Sequence, residues 1–172
     1  MTAAPAATEL EIRVAGPEDF AEIRRITLAA YLDAGHISEG HPYLAILGNV
    51  EQRARHAELW IAEVGGRAVG SVMITHPGRK YTEVALDGEI EFRMLAVDPA
   101  AQGLGVGRRI VERVLDHARS LDDVEAVAIT SGAWMAPAHR LYGSLGFVRV
   151  PERDWSFDGG PKDLWVFRHG LA

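Results

Sequence analysis

The run Glu89 to Gly107, EIEFRMLAVDPAAQGLGVG, constrains the fold more than any other stretch, because it makes a strand stop, turn and restart as a glycine-rich helix. Ile90, Phe92, Met94 and Ala96 alternate with Glu89, Glu91 and Arg93, the period-two pattern that puts apolar side chains on one strand face and polar ones on the other. Pro99 has no amide hydrogen to donate and drives Asp98 towards extended backbone, so a turn must separate strand from helix. Then Gln102-Gly103-Leu104-Gly105-Val106-Gly107-Arg108 strips side chains from alternate positions where the helix begins. Amides that lack an intrahelical acceptor can close there around anionic oxygens, and the ligand this predicts is a pyrophosphate.

Spacing separates the known glycine-rich phosphate binders. No GxxxxGK[ST] occurs, so the lysine and hydroxyl of a P-loop are missing. A Rossmann fingerprint needs GxGxxG, whereas Gly103, Gly105 and Gly107 give GxGxG with Arg108 in place of the third glycine. Asp122-Asp123 stands about where a ribose-binding carboxylate belongs, which keeps a nicotinamide-dependent oxidoreductase as a competing reading. The third pattern, [RQ]xxGx[GA], is met by Gln102, Gly105 and Gly107 after Val97-Asp98-Pro99. In this the chain resembles the acetyl-CoA loop of the GNAT N-acetyltransferase superfamily. The resemblance implies that Gln102, Gly103, Leu104, Gly105, Val106, Gly107 and Arg108 take the pyrophosphate of acetyl-CoA. It also implies that the strand around Leu95, Ala96 and Val97 splays from Val127 to Ile129, leaving amides for the pantetheine arm. Arg109 is a further phosphate partner on this view, and a solvated helix residue on the plainer one.

The second segment that carries chemistry is Ala138 to Phe147, AHRLYGSLGF, which is similar to the superfamily's AxxLYxxLGF signature. Leu141 and Leu145 share a helix face, Gly146 permits a left-handed cap, and Phe147 starts a strand returning to the core. On its residues alone, Tyr142 reads as a core aromatic with a satisfied hydroxyl. The resemblance gives it a second role, protonating the departing thiolate of the donor. Acyl transfer also needs the amine neutral, so a base is required; Glu91 is the leading candidate and Glu89, on the same face, the second. The alternative for Glu91 is a plain ion pair with Arg93. Seven residues before Tyr142, where the superfamily often carries Asn, this chain has Met135, so that amide contact to the donor is lost.

Composition sets outer limits. At 172 residues, 48% hydrophobic and 24% charged, the chain fits one globular domain over 10–172 behind a flexible tail over 1–9. It has no cysteine, which rules out disulfides and thiolate metal sites and suits the cytoplasm. The histidines are scattered, no HExxH or GxSxG occurs, and no metal is expected. A formal charge of −6 speaks against nucleic-acid binding, and no apolar run is long enough for a membrane span.

Periodicity predicts strands over 10–15, 59–64, 68–75, 124–130, 147–150 and 164–168 besides the one in the opening run. Helices are expected over 17–31, 43–58, 106–118 and 137–145, a hairpin at Gly65-Gly66-Arg67 and an exposed loop over 76–88. The order β-α-α-β-β-β-α-β-α-β-β is the one the superfamily shows. The fold class expected is therefore α/β, with a central mixed, mostly antiparallel sheet flanked by helices and splayed between strands 4 and 5. The function implied is acetyl transfer to a primary amine, with a homodimer as the superfamily's expectation and a non-catalytic acyl-CoA sensor as the alternative. Trp134, Trp155 and Trp165 read as core or interface anchors, and Trp155 and Phe157, in a charged, glycine-rich loop, have as alternatives the lining of an acceptor pocket or a dimer contact.

Overall fold

The computed structural model describes residues 9–35 and 37–171, so the expected tail, apart from Glu9, and His36 fall outside the described residues. The elements are β1 (Leu10–Val14), α1 (Phe20–Asp33), α2 (Tyr43–Gly48), α3 (Val50–His56), β2 (Glu58–Val64), β3 (Arg67–Thr75), β4 (Glu89–Val97), α4 (Val106–Arg119), β5 (Ala126–Gly132), α5 (Ala136–Ser144), β6 (Val148–Arg149) and β7 (Leu164–Gly170). The seven strands form one mixed sheet in the order β1-β2-β3-β4-β5-β7-β6. Among the described residues no helix is long and apolar enough to cross a membrane.

The single helix expected over 43–58 is two. Asn49 sits at φ −83° and ψ 68°, outside helical space, and its side-chain oxygen accepts the amide of Gln52. An asparagine in that role starts a new helix rather than continuing the old one. β5 runs two residues later than the apolar pattern suggested, ending at Gly132 instead of Thr130.

The chain divides into two compact units. The first comprises the residues up to Met73 with Met94–Ile110. In it β1 and β2 pair antiparallel from Leu10↔Val64 to Val14↔Trp60, and Arg13 bridges Asp19 and Glu63 across that edge. Ile23, Ile26, Leu47 and Val50 fill its helical core. Gly70 of β3 faces the start of α4, where an added Cβ would stand 2.9 Å from Ile110, 3.1 Å from Val106 and 3.2 Å from the Ala96 carbonyl oxygen. Only a glycine lets the helix start lie that close to the strand.

The second unit comprises Ile74–Arg93 with Val111–Ala172. β4 and β5 pair in parallel, Glu89↔Ala126, Ile90↔Val127 and Glu91↔Ala128. β5 and β7 pair antiparallel along their whole length, from Ala126↔Gly170 to Gly132↔Leu164. Phe92, Tyr142, Phe147 and Phe167 pack edge to face or tilted, at centroid distances of 5.8 to 6.2 Å. Each such pair adds about 0.5–1.5 kcal/mol beyond the area it buries.

Candidate active site

The glycine-rich turn is set by Asp98. Its amide donates to the Val69 carbonyl (2.8 Å), one carboxylate oxygen accepts the Ala100 amide (3.0 Å), and the other receives Arg25 (3.0 Å). The Ala100 amide and the Arg25 guanidinium together hold the Asp98 carboxyl below the usual range. The carboxylate caps the short helical turn Pro99–Ala101, and the chain leaves it at Gln102 in extended conformation. The cap on Ala100 is local and within reach of the sequence pattern, whereas the ion pair to Arg25, 73 positions away, leaves no trace in it.

Gly103 (φ +80°) and Gly105 (φ +76°) are both left-handed, and a Cβ built on either meets nothing within 4 Å. The first helical bond of α4 runs from the Arg109 amide to the Gly105 carbonyl (3.1 Å), so the amides of Val106, Gly107 and Arg108 come before any intrahelical acceptor. Val106 is buried, whereas Gln102, Leu104, Arg108 and Arg109 are exposed. A turn with left-handed glycines facing open space ahead of the first amides of α4 suits a diphosphate. Leu95 and Val97 are half-buried and Ala96 buried, in the strand that leads into this turn.

Just before them, Met94 has φ 56°, the one non-glycine residue with positive φ among the described residues. Left-handed backbone costs a side-chain-bearing residue about 1–2 kcal/mol, and inside a strand it marks a bulge. Val127 and Ala128 pair with Ile90 and Glu91. The parallel ladder ends at Glu91↔Ala128, so β4 and β5 part beyond that point, the splay expected between strands 4 and 5, with Leu95, Ala96 and Val97 outside the ladder.

The acidic face of β4 is buried rather than solvated. Glu91 is 0% exposed and Glu89 4% exposed. Glu91 Oε1 accepts the amides of Val84 (2.8 Å), Ala85 (2.9 Å) and Glu83 (3.2 Å), and Oε2 also accepts Glu83 (3.2 Å). Burial pushes the Glu91 carboxyl up, and these amides oppose the shift without reversing it. Glu89 accepts the Leu86 amide (2.9 Å) and pairs with Arg153 (2.9 Å) and Arg168 (2.6 Å). Against the cost of burial, Arg153, the Leu86 amide and Arg168 leave its carboxyl below the ordinary value. Arg93 bonds the Glu83 carboxylate (2.5 Å) and the Tyr81 carbonyl (2.7 Å). The segment 76–88, expected as an exposed loop, is thus fastened by its main chain to two strand carboxylates, with Tyr81 buried.

Tyr142 lies on α5 with its ring in the aromatic cluster, 7% exposed. Burial pushes its phenol up to about 12. No described residue hydrogen-bonds its hydroxyl, which leaves that group as a donor for a ligand. α5 is tied to the end of β5 by His139 Nε2 and the Met135 amide, both 2.9 Å from the Gly132 carbonyl. The His139 ring stacks on Trp165, a positioning role that spacing alone did not reveal. Met135 fills the half-buried start of α5, its sulfur 3.7 Å from Ser131 Oγ.

Register places Glu91 and Tyr142 on opposite sides of the sheet. Glu91 pairs with Ala128 and so shares its face, together with Thr130 and Gly132 by alternation. Tyr142 packs on Phe92 and Phe167, and Phe167 pairs with Ile129 on the other face.

Comparison with known proteins agrees with this architecture. The chain is 34% identical over 139 residues to the N-alpha-acetyltransferase RimI of Mycobacterium tuberculosis, covering 81% of this chain and 82% of that one. It is 34% identical over 119 residues to mycothiol acetyltransferase of Cellulomonas flavigena, covering 64% of this chain and 34% of the relative, so it spans about a third of that protein's length. The crystal structure of PaiA N-acetyltransferase from Thermoplasma acidophilum in complex with coenzyme A superposes with a TM-score of 0.73 at 12% identity, over 94% of this chain and 99% of that one. The antiparallel β5–β7 ladder also departs from the mostly parallel sheet that a dinucleotide-binding fold requires. The model of the acetyltransferase (GNAT) family matches residues 20–147, which include both the glycine-rich turn and the Tyr142 helix, and the chain belongs to that family.

Proposed function

We propose that the chain transfers the acetyl group of acetyl-CoA to a primary amine. The observation that carries this reading is the cradle at Gly103 and Gly105, open in front and followed by the first amides of α4. The main chain of Gln102 to Arg108 would hold the diphosphate, and that of Leu95, Ala96 and Val97 the pantetheine arm. Bound acetyl-CoA would supply an acyl group already activated as a thioester. RimI, an N-alpha-acetyltransferase by name, supports a nitrogen acceptor.

Tyr142 holds its proton at Oη throughout the neutral range, because burial keeps the phenol up at about 12. It acts as a hydrogen-bond donor to a leaving sulfur, since so weak an acid does not release its proton outright to a thiolate, whose conjugate acid lies near ~8.5. Glu91 takes the proton of the amine, through water, from the opposite face. Its Oε1 is filled by three amides, and Oε2, with a single 3.2 Å bond, keeps acceptor capacity.

Incubation with acetyl-CoA and a panel of primary amines is expected to release free thiol only when an amine is present. Coenzyme A binding without amine-dependent thiol release would instead establish the sensor reading.

The role of Glu91 is tested by pH. Its carboxyl is raised, so as a base it becomes active only as pH climbs through a value above the ordinary carboxyl range. By linkage, its contribution to stability is complete below the unfolded carboxyl range and is lost as pH rises through that same folded value. In Glu91→Gln the rising limb of kcat/KM disappears and the rate falls by about 100-fold on the plateau above it, with little difference at low pH where the carboxyl is already protonated. A profile superimposable on that of the unsubstituted protein would leave Glu91 only as the anchor of the 83–85 main chain.

A further inference from the structure

Trp134 and Phe157 are 54% and 76% exposed, and both lie near the end of β5 on the face that carries Glu91. Trp155 Nε1 donates to Thr130 Oγ1 (3.1 Å), and the Trp155 main chain bridges Leu164, with amide-to-carbonyl distances of 3.0 and 3.1 Å in the two directions. Phe157 meets the Trp155 ring edge to face at 4.8 Å and 71°. Trp134 covers Gly132: a Cβ there would stand 2.5 to 2.8 Å from the indole, so only glycine lets the ring lie flat on the strand. Thr130 and Gly132 are same-face neighbours, about 7 Å apart in a strand, so Trp155 and Trp134 rest on neighbouring positions of one strand face. Trp155 is held by Thr130 and the Leu164 bridge, while the loop around Phe157, Ser156 to Asp163, is otherwise polar and glycine-rich. Exposed Asp158 and Asp163 outweigh exposed Lys162 in this loop by one negative charge, which favours a protonated amine on approach.

We propose that Trp134, Trp155 and Phe157 form the shelf on which the acceptor lies, and that the acceptor is a primary amine carrying an aromatic ring. This rests on the acetyl-transfer reading above. Two indoles on one strand face and a phenyl edge to face with one of them offer ring faces and edges to a third ring, an arrangement that rewards planar aromatic groups over flexible chains. The ring of the acceptor would rest on the shelf, and its nitrogen would point along the same face towards Glu91.

The experiment compares 2-phenylethylamine with ethylamine, by kcat/KM and by quenching of tryptophan fluorescence in the presence of coenzyme A. 2-Phenylethylamine is expected to be preferred by roughly tenfold or more, and Phe157→Ala and Trp134→Leu are each expected to cut that ratio by about tenfold. Phe157 is mostly in water, so its removal leaves the fold intact. An unchanged ratio in both variants, with thiol still released from ethylamine, overturns the shelf and leaves acetyl transfer standing. Quenching by 2-phenylethylamine that weakens in Phe157→Ala, with no turnover of any amine, supports the shelf and removes acetyl transfer. Sedimentation showing a dimer that Phe157→Ala dissociates overturns the proposal in favour of a self-association surface.

Discussion

Gly105→Val abolishes coenzyme A binding while the chain stays folded. Gly105 has φ +76°, where a β-branched residue is strained by about 1–2 kcal/mol, yet nothing within 4 Å would collide with its Cβ. The fold therefore tolerates the change, with Tm lowered by about 2–8 °C for a chain of this size. Binding does not tolerate it. The new side chain occupies the open space through which a diphosphate must approach, and any relief of φ turns the Val106 and Gly107 amides away from it. An affinity loss of about 100-fold or more is expected in calorimetry, equal to ~2.7 kcal/mol. Unaltered affinity in well-folded protein would remove the glycine turn from the binding site, and the acetyl-transfer reading with it.

Tyr142→Phe gives the second large effect, and it falls on turnover instead of affinity. Phenylalanine keeps the contacts with Phe92, Phe147 and Phe167, whose centroids lie 5.8 to 6.0 Å away. It removes a hydroxyl that no described residue hydrogen-bonds, so stability should hold within about 0.5 kcal/mol. The expected loss in kcat is about 100-fold or more, with coenzyme A affinity unchanged. The pH profile adds an independent check. Burial raises the phenol to about 12, so ionisation of Tyr142 should cause no decline in rate below about pH 10. A variant as fast as its parent would return Tyr142 to a purely aromatic role in the core.

The parts of this molecule that the sequence made legible are those set by neighbours in the chain. Pro99 and the glycines after it announce the turn, and the Leu141–Phe147 spacing announces the end of α5, because each depends on local backbone geometry. The burial of Glu89 and Glu91 was not legible. Alternation along β4 reads the same whether its acidic face meets water or a loop, and the groups that cover it come from elsewhere: Arg153 lies 64 positions from Glu89, and Arg168 lies 79. The left-handed Met94 gave no signal, since methionine is not a residue that favours such backbone. Asn49 did carry one, as a capping residue inside an apolar helical pattern, but the pattern on both sides outweighed it.

Four consecutive amides, Glu83 to Leu86, are held by just two carboxylates of β4. Because the grip falls on peptide N–H groups, it is indifferent to which residues occupy 84, 85 and 86 so long as none is proline. Val84, Ala85 and Leu86 can be exchanged without altering the course of the chain there, so selection can reshape this rim of the molecule while the scaffold beneath stays as it is.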